Sequence, residues 1–454
     1  MGRPSRIVKI FISDAHPPAM NSFGKGFGAG SNALGGQPQA ERTDGRKMDG
    51  GRIDSIRADG ESDEMEIVLH PRSEIDSRIK SLQNHMGDLA GVMLFQSVDI
   101  CYFSGTAQDG LVYVPRDSEP VVMIRKSFER ASEESPLDVK PLKGMRTLKS
   151  DLGIPSGAAI GLELDVLPFN NCARLERALG GVRFEDISEA IRHIRSVKSD
   201  FEVGLLRKAA RMLDAGIASV QDHLKVGMRE IDLDARVNAE MRSMGHQGSI
   251  FFRRFNQELY MCHVMSGPSA AVQSCVSSPT GGVGVSLLHP QGAGFKKIRR
   301  NEPVLVDYGG IYGGYIADET RIFSLGNLPK DLEDAHLAAI EIEKAVAKEM
   351  RPGNTGRKLF ELSELTGERL GYKGHLGGTP GKKCGFVGHG LGLEIDEYPV
   401  IGPADHQILK NMTVALEPKM VYPGIGVVGI EDTFLTTDNG AERLTRLSQE
   451  IWQV

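Results

Sequence analysis

Hydrophobic and polar positions along the chain keep three different rhythms, and each predicts a different kind of structure. From Pro71 to about Arg195, short apolar runs such as GVMLFQ (91–96), DGLVYVP (109–115) and PVVMIR (120–125) alternate with stretches of helical period, among them SEIDSRIKSLQNHMGDL (73–89) and CARLERAL (172–179). Strands alternating with helices predict a modest α/β domain over residues 71–195. It carries no constellation of ionisable residues with ligand spacing, so its expected work is to shape a pocket or pair subunits. A second rhythm starts at Ser199, where Ser199 and Glu202 have the spacing of a capping box and Val203, Leu206, Ala210, Leu213 and Ile217 repeat with helical period. Further helices are predicted over 229–245, 331–350 and 355–372, interleaved with strand pairs, so two helices and a sheet segment occur twice. The expectation is a duplicated α+β domain over residues 196–454. Ahead of both lies a Gly-, Ser-, Asp- and Arg-rich segment, including GKGFGAGSNALGG (24–36), with neither period; residues 1–70 are expected to be a disordered leader.

Two apolar hairpins stand out because acidic residues interrupt them. In PVLVDYGGIYGGYIADETRIF (303–323), a turn centred on Tyr312 and Gly313 sets Asp307 directly opposite Asp318. Like charges at that separation, about 5 Å between Cβ atoms, destabilise a sheet unless a cation neutralises them. TVALEPKMVYPGIGVVGIEDTFLTT (413–437) repeats the arrangement around Gly424, with Glu417 opposite Glu431. His389, between Gly388 and Gly390, is the best imidazole to complete the set, and the flanking glycines permit close backbone approach. An oxygen-dominated set with one imidazole suits manganese, iron or cobalt, with zinc also possible.

Composition narrows the partners. With 40% hydrophobic and 25% charged residues and a net charge of -6, the chain has an ordinary globular balance and no general attraction for nucleic acid or an anionic membrane. A small solvated substrate is the better fit. The five cysteines include no CxxC pair, which argues against a disulfide framework or a thiolate zinc site and for a reducing cytoplasm. No run approaches the roughly 18 apolar residues of a spanning helix.

The segments VDYGGIYGGYIADETRIF (306–323), GHGLGLEIDE (388–397), LEPKMVYPG (416–424) and GIEDTFLTT (429–437) together resemble the pita-bread metallopeptidases, the family of Xaa-Pro aminopeptidase, prolidase and methionine aminopeptidase. The resemblance runs over about residues 72–454, with the first domain similar to the creatinase-type N-terminal domain of the prolidase branch. It implies an α+β pita-bread catalytic domain and Asp307, Asp318, His389, Glu417 and Glu431 as ligands of two divalent ions, Mn2+ first, then Co2+, Fe2+ or Zn2+. Asp318 and Glu431 are implied to bridge the ions, and Glu417 to act also as general base. The implied reaction is removal of the N-terminal residue from short Xaa-Pro peptides by a hydroxide held between the metals, in a cytoplasmic homodimer.

Departures from that pattern bear on substrate. Gly385 and Asp396 stand where the proline-specific branch carries histidines, and Gly429 where an arginine is common. Asp396 is therefore a candidate site residue, one that accepts hydrogen bonds and favours a donor or cation on the substrate. His289, after the Gly-rich SSPTGGVGVS (277–286), has the spacing of a further pocket histidine, with His263 the second choice. A metal-dependent lyase on a small metabolite is the alternative within the same fold. A noncatalytic binding module is disfavoured, since all five ligand positions are filled.

Overall fold

The computed structural model describes residues 67–454 apart from residue 261; the leader up to residue 66 lies outside the described residues. Packing begins ahead of the boundary at residue 71: His70 is buried, its Nδ1 accepting from Arg78 Nη1 at 3.2 Å. Burial and the Arg78 charge together lower the His70 pKa to about 4, so the ring is neutral and free to accept.

Residues 91–186 build a six-stranded mixed sheet in the order Val139–Pro141, Val121–Ile124, Gly110–Pro115, Gly91–Leu94, Ala159–Leu162, Arg183–Asp186. Its central strands are buried along their length, which is why they read as continuous apolar runs rather than alternating ones.

The second half starts as its capping box predicts. Ser199 Oγ accepts from the Glu202 amide at 3.2 Å and Glu202 Oε2 accepts from the Ser199 amide at 2.8 Å, opening the helix Asp200–Ala218. Leu206, Ala210, Leu213 and Ile217 are buried against the hairpin Val304–Tyr312/Tyr315–Ser324, here the Asp hairpin. Contact is close enough that a Cβ on Gly310 would lie 2.7 Å from Leu213 Cβ. A second pair of helices, Lys330–Glu349 and Gly356–Arg369, accompanies a five-stranded sheet in the order Glu397–Ile401, Gly388–Gly390, Thr413–Leu416, Asp432–Thr437, Gly440–Arg443. Between Thr413–Leu416 and Asp432–Thr437 the chain runs out and back through Lys419–Tyr422 and Gly426–Gly429, forming the Glu hairpin. No described helix is long and apolar enough to cross a membrane.

The Asp hairpin has a different register from the direct Asp307–Asp318 opposition that its sequence symmetry suggests. Asp307 faces Thr320 and Asp318 faces Gly309. The turn is Gly313–Gly314, with φ of 57° and 86°, closed by the pair Tyr312 and Tyr315. A two-residue hairpin turn with positive φ at both positions is met by two glycines and not by Tyr312. The slip preserves the face, so the two aspartates stay on one side as diagonal neighbours. The two hairpins then meet at an isolated bridge between Thr320 and Glu431, where Asp318 N donates to Thr433 Oγ1 at 2.7 Å.

A buried charge network fastens the first domain to this second half. Arg195 reaches Asp99 at 2.7 Å, Glu394 at 2.9 Å and Glu397 at 2.6 Å; Lys198 adds 3.0 Å to Glu397; Arg253 spans Asp99 at 2.8 Å and Asp165 at 2.6 Å. Burial alone would raise the Glu397 pKa, but Lys198 and Arg195 outweigh it and hold it down to about 2. Breaking one partner of such a set leaves a buried charge uncompensated, at about 3–5 kcal/mol. Glu397→Gln should lose that much in urea unfolding at pH 7, and a loss under about 1 kcal/mol would refute the role. The native pKa of Glu397 lies below its unfolded value of about 4.3. Its contribution is therefore complete above that pH and lost as pH falls toward about 2. The gap between wild type and variant should stay constant from pH 8 to 5 and narrow below, as unfolding curves across that range will show.

Candidate metal centre

Asp307 and Asp318 project from the Asp hairpin, Glu417 and Glu431 from the Glu hairpin and His389 from the strand Gly388–Gly390, into one open cavity of about 120 Å3. Gly388 and Gly390 do what the sequence suggests, though for neighbouring strands: a Cβ on Gly388 would lie 2.5 Å from the Ala415 carbonyl oxygen, and one on Gly390 2.1 Å from that of Tyr398. The Glu417 amide donates to the Val387 carbonyl oxygen at 2.9 Å, continuing the Gly388–Leu416 register, and its side chain lines the cavity. His389 Nε2 stands 3.7 Å from Glu417 Oε1 and 3.9 Å from Glu431 Oε1.

Lys419, which sequence reasoning passed over, lies among these carboxylates. Its Nζ donates to Asp307 Oδ2 at 2.9 Å, Glu417 Oε2 at 2.9 Å and Glu431 Oε2 at 2.8 Å, and the side chain is 1% exposed. A signal was available: residue 419 is two positions after Glu417, the spacing of side chains on one face of a strand. The electrostatics are those of crowded acids. Burial first, then Glu431 and Asp307, push the Asp318 pKa well above the usual carboxylate range. Burial with Glu417 and Asp307, opposed by Lys419, leaves Glu431 at about 8. Burial works against the Lys419 charge, but its three carboxylate partners outweigh it and drive its pKa well up.

The two outer candidates fall differently. His289 is exposed and lines an adjoining cavity, outside the one that holds the five ligand candidates. The Gly-rich loop doubles back at the bridge between Gly282 and Gly292, placing Gln291 against His263, with Gln291 Nε2 2.6 Å from His263 Nε2. His263, directly opposite Asp307 in the strand Cys262–Ser266, lines the cavity in its stead. Burial lowers the His263 pKa to about 4 against the pull of Asp307, so the ring is neutral near pH 7. Asp396 does line the cavity, but its carboxylate is engaged: Oδ1 accepts from the Arg253 amide at 2.8 Å and Oδ2 from the Arg254 amide at 3.2 Å. Arg192 donates to the Asp396 carbonyl oxygen at 3.3 Å and stacks on Tyr398. Two guanidinium groups, Arg192 and Arg254, are thereby set into the lining, and neither was singled out from sequence. Gly385 borders the neighbouring cavity, and Gly429 lies across from Lys419 in the Glu hairpin.

Asp318, His389 and Glu431 each bring one ligand atom within 4.8 Å of the others, a donor set that fits a divalent ion; Asp307 and Glu417 are engaged with the Lys419 ammonium. Comparison with known proteins agrees with such chemistry. The profile of Metallopeptidase family M24 matches residues 204–438, and that of the creatinase/prolidase N-terminal domain residues 78–197. An Xaa-Pro dipeptidase of Pyrococcus furiosus is 26% identical over 363 residues, 79% of this chain and 94% of the relative. Among solved structures, the prolidase from Pyrococcus horikoshii OT3 superposes with a TM-score of 0.69 at 24% identity, covering 83% of this chain and 99% of that one. The Xaa-Pro dipeptidase from Bacillus anthracis gives 0.71 at 24%, covering 84% and 100%. The architecture is thus a creatinase-type N-terminal domain followed by a pita-bread domain. With more than half its length matched, the chain belongs to metallopeptidase family M24, whose chemistry runs on divalent metal ions.

Proposed function

We propose that this chain is a metal-dependent exopeptidase that removes the N-terminal residue from short Xaa-Pro peptides, with its metal at the centre where Asp318, His389 and Glu431 meet beside Asp307 and Glu417. The observation that carries the reading is the convergence of those five side chains in one cavity that also holds Arg192 and Arg254. The name and near full-length coverage of the Pyrococcus furiosus relative support the substrate class. A divalent ion at this centre supplies Lewis-acid activation of water and of the scissile carbonyl. Glu417 takes the proton from the attacking water and returns it to the leaving amine. Lys419 fixes Glu417 Oε2, which leaves Oε1 facing His389. Arg192 and Arg254 receive the peptide carboxylate, and Asp396 acts on substrate through them by capping the Arg253–Arg254 turn.

The test is release of the N-terminal residue from a panel of Xaa-Pro dipeptides and tripeptides by the purified, Mn2+-loaded full chain, with loss of turnover after chelation. No release from any member overturns the reading. Asp318→Asn should lower kcat at least about a hundredfold and reduce bound metal, since even supporting residues around a metal cost 10–100-fold; near-normal turnover removes Asp318 from the centre.

Asp396→Ala should leave bound metal unchanged yet raise KM for dipeptides roughly tenfold, the weight of about 1.4 kcal/mol of carboxylate recognition. Longer peptides, whose carboxylate lies beyond the arginines, should lose less. Equal loss across peptide lengths would show that Asp396 serves the fold alone.

A further inference from the structure

The five ligand candidates divide into two groups. Asp318, His389 and Glu431 point their ligand atoms at one another, within 4.8 Å. Asp307, Glu417 and Glu431 point an oxygen each at Lys419 Nζ, at 2.9, 2.9 and 2.8 Å. An ammonium group has three donors and no acceptor, so all three protons are used and its position among the oxygens is fully determined. Glu431 is shared by the two groups, one oxygen facing His389 and the other Lys419.

We infer that Lys419 occupies one of the two cation positions of this centre, so that the protein binds a single divalent ion, on Asp318, His389 and Glu431. The inference rests on the metal-dependent reading above and replaces the pair of ions that the family resemblance implies. The backbone is built for this occupant. Lys419 pairs directly with Gly429, and a Cβ at residue 429 would lie 2.7 Å from Lys419 Cα and 3.2 Å from Lys419 Cγ. The side chain that Gly429 lacks leaves the space in which the lysine stem lies. The lysine at residue 419 and the glycine opposite it at residue 429 are thus complementary. A second ion bound through Asp307 would have to displace a buried ammonium from its three partners and leave that charge unpaired, a large cost in an interior position.

Metal-stripped full-length protein titrated with Mn2+ by calorimetry, with elemental analysis of the saturated sample, reads the count directly. One ion per chain is expected, with the six-line electron paramagnetic resonance spectrum of isolated Mn2+. Two ions per chain with an exchange-coupled signal overturn the inference and leave the metallopeptidase reading intact; no bound ion removes both. In Lys419→Gly the vacated position should fill, so stoichiometry should rise from one to two and coupling should appear. A folded variant that still saturates at one ion overturns the assignment of Lys419 as the occupant. Should the variant not fold, the wild-type count decides alone.

Discussion

Four carboxylates drawn out of water at the meeting of two hairpins are the constraint around which the second half of this protein is arranged. Without positive charge among them the arrangement repels itself, and burial makes the repulsion more severe than on a surface. Lys419 supplies part of that charge from within the chain, yet burial and the neighbouring carboxylates still push Asp318 and Glu431 upward. A divalent ion is the natural complement. Metal affinity and fold stability are therefore coupled, because an ion bound to the native state alone stabilises it by mass action.

Backbone geometry serves the same constraint. Gly388 and Gly390 let three strands approach closely around His389, and Gly313–Gly314 close the Asp hairpin tightly. The Thr320–Glu431 bridge and the Asp318–Thr433 hydrogen bond then lock one hairpin against the other. Each device sits within a few residues of a ligand candidate. The precision lies in the strands rather than in the loops, as suits a centre whose ligands must hold their separations closely.

What could be read from the residues alone was local. Period and capping marked the helix Asp200–Ala218, and the symmetry of the Glu hairpin about Gly424 is kept in the pairing of Lys419 with Gly429. The Asp hairpin was misjudged by its turn, since four glycines flank Tyr312 and symmetry alone does not choose among them; positive φ does. Because the error was an even slip, the aspartates kept their common face and the site survived it. Lys419 escaped notice because a lone lysine reads as solvated until its strand face is worked out. Arg192, Arg254 and the partners of Asp396 depend on contacts between segments as much as 204 residues apart, which no local period encodes.

On the proposed function, those distant contacts also tie substrate recognition to the fold. Asp396 caps the turn that carries Arg254, while the neighbouring Arg253 reaches back to Asp99 and Asp165 in the first domain and Glu397 holds Arg195 and Lys198. The basic part of the cavity is thus an outgrowth of the buried network, as rigid as the network is stable. The acidic part around Lys419 stands on the two hairpins and needs none of it. A short peptide carries an ammonium at one end and a carboxylate at the other, and a cavity with separately supported acidic and basic clusters discriminates its orientation before any contact with the scissile bond. On the proposed reading the first domain acts on catalysis at a distance: it fixes where the carboxylate is held, and through the length of the substrate which peptide bond meets Glu417.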